Sequence, residues 1–196
     1  MRIGLIRHGQ TEWNELGKIQ GQTDIPLNAE GFRQARALAH RLRHEPMKWD
    51  AVVSSDLQRA KQTADVLADA LGIPVLSPDT RLRERFYGEV EGTTAEERLA
   101  KWGADWKKRD SGQENDKQLR ERALSFVEDA AGANPNRNLL VVTHGSLLAQ
   151  LLQAMCAEWS DKPINNLSFS ILERAGAGWA PILHNCTLHL EQLHQQ

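Results

Sequence analysis

Ile3-Gly4-Leu5-Ile6-Arg7-His8-Gly9-Gln10-Thr11-Glu12 is the stretch that decides how this chain is read. Its first four residues form a short apolar run of the kind found in strands buried on both faces. A guanidinium, an imidazole and a glycine follow where that strand must end. In open α/β folds, ligands bind outside the carboxyl ends of the strands. An imidazole in that place can act as a nucleophile, and the neighbouring guanidinium can hold an anion against it. The design returns at Leu139-Leu140-Val141-Val142-Thr143-His144-Gly145-Ser146: a buried strand, a His-Gly corner, then a helix. Two such corners on two strand ends point to one site built from both.

The segments between them alternate. A strand at about 2–8 is followed by a helix at 29–44, with Asn28 as its cap and Phe32, Ala35, Leu38, Ala39 and Leu42 in helical spacing. Residues 50–54 read as a second strand. Asp56 is placed to cap the next helix, which runs to Leu71 and is stopped by Gly72. Residues 73–76 read as a short strand. Residues 77–113 are irregular, punctuated by Gly88, Gly92, Gly103 and Gly112, and suggest a lid or site-forming insertion with short helices near 94–108. A helix at 116–131, the strand at 138–143, a helix at 146–158 and strands near 167–172 and 180–184 complete the chain. Strand–helix alternation predicts an α/β fold, a three-layer α/β/α sandwich with a mostly parallel central sheet. Nothing divides the 196 residues, so 1–196 reads as a single domain.

Composition narrows the function. The net charge of -2 argues against a nucleic-acid binder driven by bulk charge. No apolar run approaches the length of a membrane span. Cys156 and Cys186 make no framework and no CxxC pair, and Met1-Arg2 leads straight into a strand that Arg7 interrupts. The expected setting is therefore reducing and cytoplasmic.

A phosphoryl group explains the polar residue types gathered along the chain. A phosphate ester carries about -1.5 to -2 charges and three strong acceptor oxygens. Arg7, and Arg59 in the first turn of its helix, can each give such oxygens two parallel hydrogen bonds. A neutral His8 can attack phosphorus in line. The leaving alkoxide then needs a proton, which Glu84 in Arg83-Glu84-Arg85-Phe86-Tyr87-Gly88 can supply and later recover from water. His144, taken as cationic beside the phosphate, would stabilise its equatorial oxygens. With these groups neutralising charge, neither metal nor cofactor is called for. Three bland readings compete: a surface ion-pair cluster for Glu84, with Glu89 and Glu91 as rival carboxylates; an on-helix pair with Asp56 or Asp65 for Arg59; and a packing stripe for Trp102 and Trp106. His184, His189 and His194 are read as surface or strand residues.

The motifs resemble those of the histidine phosphatase superfamily, the phosphoglycerate mutase-like family. Leu5 to Asn14 resembles its signature. Gln20-Gly21 and Pro26-Leu27-Asn28-Ala29-Glu30-Gly31 continue the likeness. Ser54-Ser55-Asp56-Leu57-Gln58-Arg59-Ala60 is similar to the second arginine motif, Glu84 to Gly92 to the acid–base segment, and Val142-Thr143-His144-Gly145 to the second histidine motif. The resemblance implies His8 as the phosphorylated nucleophile, Arg7, Arg59 and His144 as the phosphate pocket, and Glu84 as proton donor. Asn14, Gln20 and Gly21 are implied phosphate or substrate contacts, with Tyr87 and Gly145 as further candidates.

Mutases of the family share a Glu-Arg-x-Tyr-Gly like that at Glu84, but carry a longer insertion with a paired arginine and a proline run. Here 103–122 holds Lys107-Lys108-Arg109 and no such run. Gly112-Gln113-Glu114-Asn115 with Arg122 instead looks like a degraded "GES…R" segment of small phosphatases, and Ser146 stands where mutases usually have Asn. The favoured reading is a metal-independent phosphomonoesterase for small phosphorylated metabolites, with inorganic phosphate as product. A cofactor-dependent phosphoglycerate mutase and a catalytically decayed phosphate-binding regulatory module remain as alternatives. Monomer and homodimer both stay open.

Overall fold

The computed structural model describes residues 1–106, 111–156 and 163–191. Five strands form one sheet: β1 (Arg2–Arg7), β2 (Ala51–Ser54), β3 (Leu139–Thr143), β4 (Phe169–Ala175) and β5 (Gly178–Cys186). Their spatial order is β2-β3-β1-β4-β5. β3 pairs in parallel with both β1 and β2, whereas β4 runs antiparallel to β1 and to β5. One strand, β4, is therefore reversed, and the other four share a direction. The β1–β3 register decides where the site forms. Arg7 lies opposite Thr143, so His8 and His144 leave the sheet at the same level. The His8 amide donates to the Thr143 carbonyl at 2.9 Å.

Helices α1 (Glu12–Glu15), α2 (Ala29–His44), α3 (Gln58–Leu71), α4 (Ala95–Trp102), α5 (Asp116–Ala133), α6 (Gly145–Met155) and α7 (Leu188–Glu191) complete the described structure. The sheet is buried on both faces, and the alternation of each strand sorts the core. Leu139 and Val141 pack with Leu119 and Phe126 of α5 and Leu148 and Leu151 of α6. Leu140 and Val142 turn the other way, onto Leu38 and Leu42 of α2 and Ala64 and Leu67 of α3. This is the expected α/β/α layering around a mixed, mostly co-directional sheet. No helix among the described residues is long and apolar enough to cross a membrane.

Local signals act largely as read. Asn28 accepts from the Gly31 amide at 2.9 Å and starts α2, and Gly72, at φ 65°, ends α3. Four expectations need correcting. Asp56 does not cap α3; its carboxylate pairs with Arg83, and the Gln58 amide instead finds Asp24 at 2.7 Å. Residues 73–76 contribute a single bridge from Val75 to Val52, because Pro74 has no N–H to extend the ladder. Helix α4 stops at Trp102, before Gly103 at φ 75°, so Trp102 and Trp106 form no stripe; Trp106 lies 4.8 Å from the Arg98 guanidinium. His189 is buried rather than superficial and bonds the Leu167 carbonyl at 2.9 Å. Lys107-Lys108-Arg109, the end of the helix read at 146–158, and His194 lie outside the described residues.

Candidate active site

The corner after β1 is held by every neighbour it has. The Gly9 amide donates to Thr63 Oγ1 of α3 at 3.1 Å, and the Asn28 amide donates to the Gln10 carbonyl at 3.0 Å. The His8 carbonyl accepts from Asn166 Nδ2 at 3.0 Å. The His8 ring is 2 % exposed, and its Nδ1 lies 2.7 Å from the Gly9 carbonyl. A carbonyl oxygen can only accept, so Nδ1 carries the hydrogen and Nε2 keeps its lone pair. Burial first, then the charges of Arg59 and Arg7, hold the His8 pKa well below the usual histidine value. The ring is a neutral base with one nitrogen committed.

The His144 ring is packed against it, with centroids 5.1 Å apart. It is fully buried, and neither ring nitrogen meets a hydrogen-bond partner among the described residues. Burial, Arg59, His8 and Arg7 in that order push its pKa well below the ordinary range. Without a bound anion His144 is thus held neutral, with Arg59, Arg7 and Arg122 all disfavouring an imidazolium; the expected cation concerns the phosphate-bound site.

Arg59 is also fully buried, and on-helix carboxylates do not hold it. Its two terminal nitrogens donate to the carbonyls of Gly21 (2.7 Å) and Thr23 (2.8 Å). That loop is organised by Glu91, whose carboxylate takes the amides of Gln22, Thr23 and Tyr87. Glu91 is thereby committed to the backbone of that loop, whereas Glu84 borders both clefts of the site. Desolvation lowers the Arg59 pKa to about 10, so it remains a cation at neutral pH. Arg7 donates to the Ile164 carbonyl at 2.6 Å. The Nε groups of Arg7 and Arg59 have no hydrogen-bond partner among the described residues. Unpaired buried donors are costly, and several of them around one cleft are what a strong anionic acceptor satisfies.

Glu84 is held from α6. Its Oε2 accepts from the Ser146 amide at 3.0 Å, and its Oε1 from Leu147 (3.1 Å) and Arg85 (2.7 Å). A histidine N-cap offers α6 no short acceptor side chain, and the carboxylate from 62 residues upstream takes that place. Arg81, Arg83 and Arg85 find their carboxylates elsewhere, at Asp79 and Asp129, Asp56, and Asp116.

A cleft of about 150 Å³ is lined by Arg7, His8, Asn14, Gln20, Gly21, Arg59, Glu84 and Tyr87. It opens beside a larger one of about 430 Å³, which shares Arg7, Glu84 and Ser146 and includes Gly145. His144, whose ring abuts that of His8, is not among the residues lining either cleft. Asn14 and Gln20 are tied to each other through Thr11, whose hydroxyl lies 3.1 Å from Asn14 Oδ1 and 2.9 Å from Gln20 Oε1. Three further residues at the site have little one-dimensional signal. Asn166 bridges the His8 carbonyl and Asn14 Oδ1. Ser146 bonds the Tyr87 hydroxyl at 2.6 Å, and its only mark in sequence is its place after the second His-Gly. Lys18 lines the smaller cleft.

The sequence model of the histidine phosphatase superfamily (branch 1) matches residues 3–187. The chain belongs to that superfamily. This histidine phosphatase is 34% identical over 191 residues to the uncharacterized phosphatase PhoE of Bacillus subtilis, covering 96% of both chains. It is 33% identical over 186 residues to a metal-independent phosphoserine phosphatase of Arabidopsis thaliana, covering 90% of this chain and 78% of that one. The solved structure of Bacillus stearothermophilus YhfR superposes with a TM-score of 0.86 at 29% identity, covering 96% of this chain and 98% of the other. The superfamily and its phosphatase relatives make this protein a phosphoric monoester hydrolase.

Proposed function

We propose that the protein hydrolyses small phosphorylated metabolites, without a metal ion, through a phosphohistidine on His8. One observation carries the reading: a buried, neutral His8 with Nδ1 bound to Gly9 lines a cleft alongside two cationic guanidiniums. The Nε groups of Arg7 and Arg59 would donate to the phosphoryl oxygens, supplying charge stabilisation that other phosphatases take from metal ions. The metal-independent relative is in keeping with this.

His8 Nε2 attacks phosphorus, and the P–O bond to the leaving group breaks with its electron pair on oxygen. Glu84 donates the proton to that oxygen. Its place suits the task, because the carboxyl group borders both the 150 Å³ cleft and the 430 Å³ one that would take the leaving group. Oε2, bonded to a single N–H, is the oxygen with room for the proton. Glu84 then takes a proton from water, which attacks phosphorus; the P–N bond breaks and returns its pair to Nε2.

The test is turnover of p-nitrophenyl phosphate in EDTA, with an acid-labile phosphoenzyme trapped by rapid quench. His8→Ala should abolish both. Activity lost on chelation, or retained by His8→Ala, overturns the proposal. Isomerisation of phosphoglycerate with a bisphosphate requirement would indicate a mutase, and phosphate binding without turnover a regulatory module.

A further inference from the structure

Glu84 lies in a segment with no sheet ladder to hold it. Residues Thr80–Leu82 make one 3₁₀ turn, and the backbone is irregular from there to the next turn at Gly88–Val90. Backbone carbonyls in such a segment need partners from outside it. Arg122 of α5 provides most of them. Its Nη1 donates to the carbonyls of Arg81 and Arg83, both at 2.6 Å, and its Nη2 to the carbonyl of Glu84 at 3.1 Å. The intervening Leu82 carbonyl accepts from Thr143 Oγ1 at 2.6 Å. Each carbonyl from 81 to 84 is thus gripped by a side chain from another element.

The remaining N–H groups of Arg122 meet Glu114, with Nε on Oε1 at 2.6 Å and Nη2 on Oε2 at 2.8 Å. All five guanidinium donors are therefore committed, and none is left for a substrate. Glu114 also touches the far side of the segment: its amide donates to the Phe86 carbonyl at 2.9 Å. Both side chains are mostly buried, at 19% and 15% exposed.

We infer that Arg122, seated by Glu114, is a positioning residue that fixes the Glu84 carboxyl group at the start of α6, between the phosphate cleft and the leaving-group cleft. The inference rests on the reading of Glu84 as proton donor. Lysine cannot replace Arg122, because an ammonium has three diverging donors and no planar fork to span three carbonyls and a carboxylate.

The experiment compares kcat/KM for an aryl ester, p-nitrophenyl phosphate, with that for an alkyl ester, β-glycerol phosphate. The aryl leaving group is a weak base and departs with little protonation, whereas the alkoxide needs the acid. Glu84→Gln should lose far more activity on the alkyl ester. Arg122→Lys and Glu114→Gln should shift the aryl-to-alkyl ratio in the same sense, by about 10-fold, a fraction of the full general-acid effect. Thermal melts establish that each variant folds, and Glu114→Gln carries the test if Arg122→Lys does not. A skewed ratio in Glu84→Gln but equal losses, or none, in the Arg122 and Glu114 variants overturns the inference and leaves the Glu84 reading standing. Equal losses in Glu84→Gln overturn that reading instead. Positioning is then decided by amide exchange at Ser146 and Leu147, which bond Glu84: faster exchange in Arg122→Lys upholds it, and unchanged exchange overturns it.

Discussion

In the proposed mechanism Arg59 is held rigidly and yet keeps a donor for the substrate. Its terminal nitrogens are bound to the Gly21 and Thr23 carbonyls, which leaves Nε unpaired in the buried interior. Lysine could bond one carbonyl or the phosphoryl group but could not present a fixed fork to both. Arg59→Lys is expected to lower kcat/KM for p-nitrophenyl phosphate by about 100-fold, the scale of one lost charge-stabilising donor. Its melting temperature should fall as well, since at least one buried loop carbonyl loses its donor. At this scale the sequence is informative where a motif is local. Arg7, His8 and Gly9 are contiguous, and their strand gives them a direction. Glu84 is harder to read because three arginines surround it in the chain, and only folding sends those arginines to other carboxylates. Asn166 carries no local pattern at all. It acts by bridging His8 and Asn14, residues more than 150 positions away.

Elements are legible where one side chain or one period sets them. The Asn28 cap, the Gly72 stop and the buried runs of β1 and β3 follow from residues a few positions apart. The cap of α3 is not legible, because Asp24 lies 34 residues from Gln58 and reaches it only through the tertiary fold. The join between α2 and the β1 corner shows how tight such contacts are. A Cβ on Gly31 would sit 2.2 Å from the Gln10 carbonyl oxygen, and one on Gly9 would sit 2.7 Å from the Gly31 carbonyl. Both obstacles are backbone and cannot swing aside. Gly31→Ala should therefore push α2 off the corner, costing about 1–3 kcal/mol in urea unfolding, as overpacking does. It should lower kcat as well, because His8 belongs to the displaced loop. Gly132 offers the opposite case. It lies in α5, where an added methyl group would meet nothing within 4 Å, so Gly132→Ala should stabilise by about 0.5–1 kcal/mol, the ordinary helix preference.

At the scale of the molecule, three buried histidines among the described residues contribute to the response to acid. His8 and His144 are held well below the usual range, and burial, followed by the charge of Arg41, takes His189 to about 4. In the unfolded chain each titrates near 6.5. Their folded pKa values are depressed, so the stability they allow is fully present above about pH 6.5 and drains away as pH falls towards the folded values, for His189 down to about 4. The loss should approach about 1.4 kcal/mol per pH unit for each histidine involved. His189→Gln should make the decline between about pH 6.5 and 4.5 shallower by about one proton, measured by urea unfolding across that window. Sheet order has a consequence for folding. β1, which leads into His8, precedes the other described strands in the chain, but it is the middle strand, and its neighbours are residues 139–143 and 169–175. Until the last of these is in place, β1 is an apolar strand with an open edge, a surface prone to wrong pairing. Assembly of the cleft therefore waits until the later of these two partners has paired.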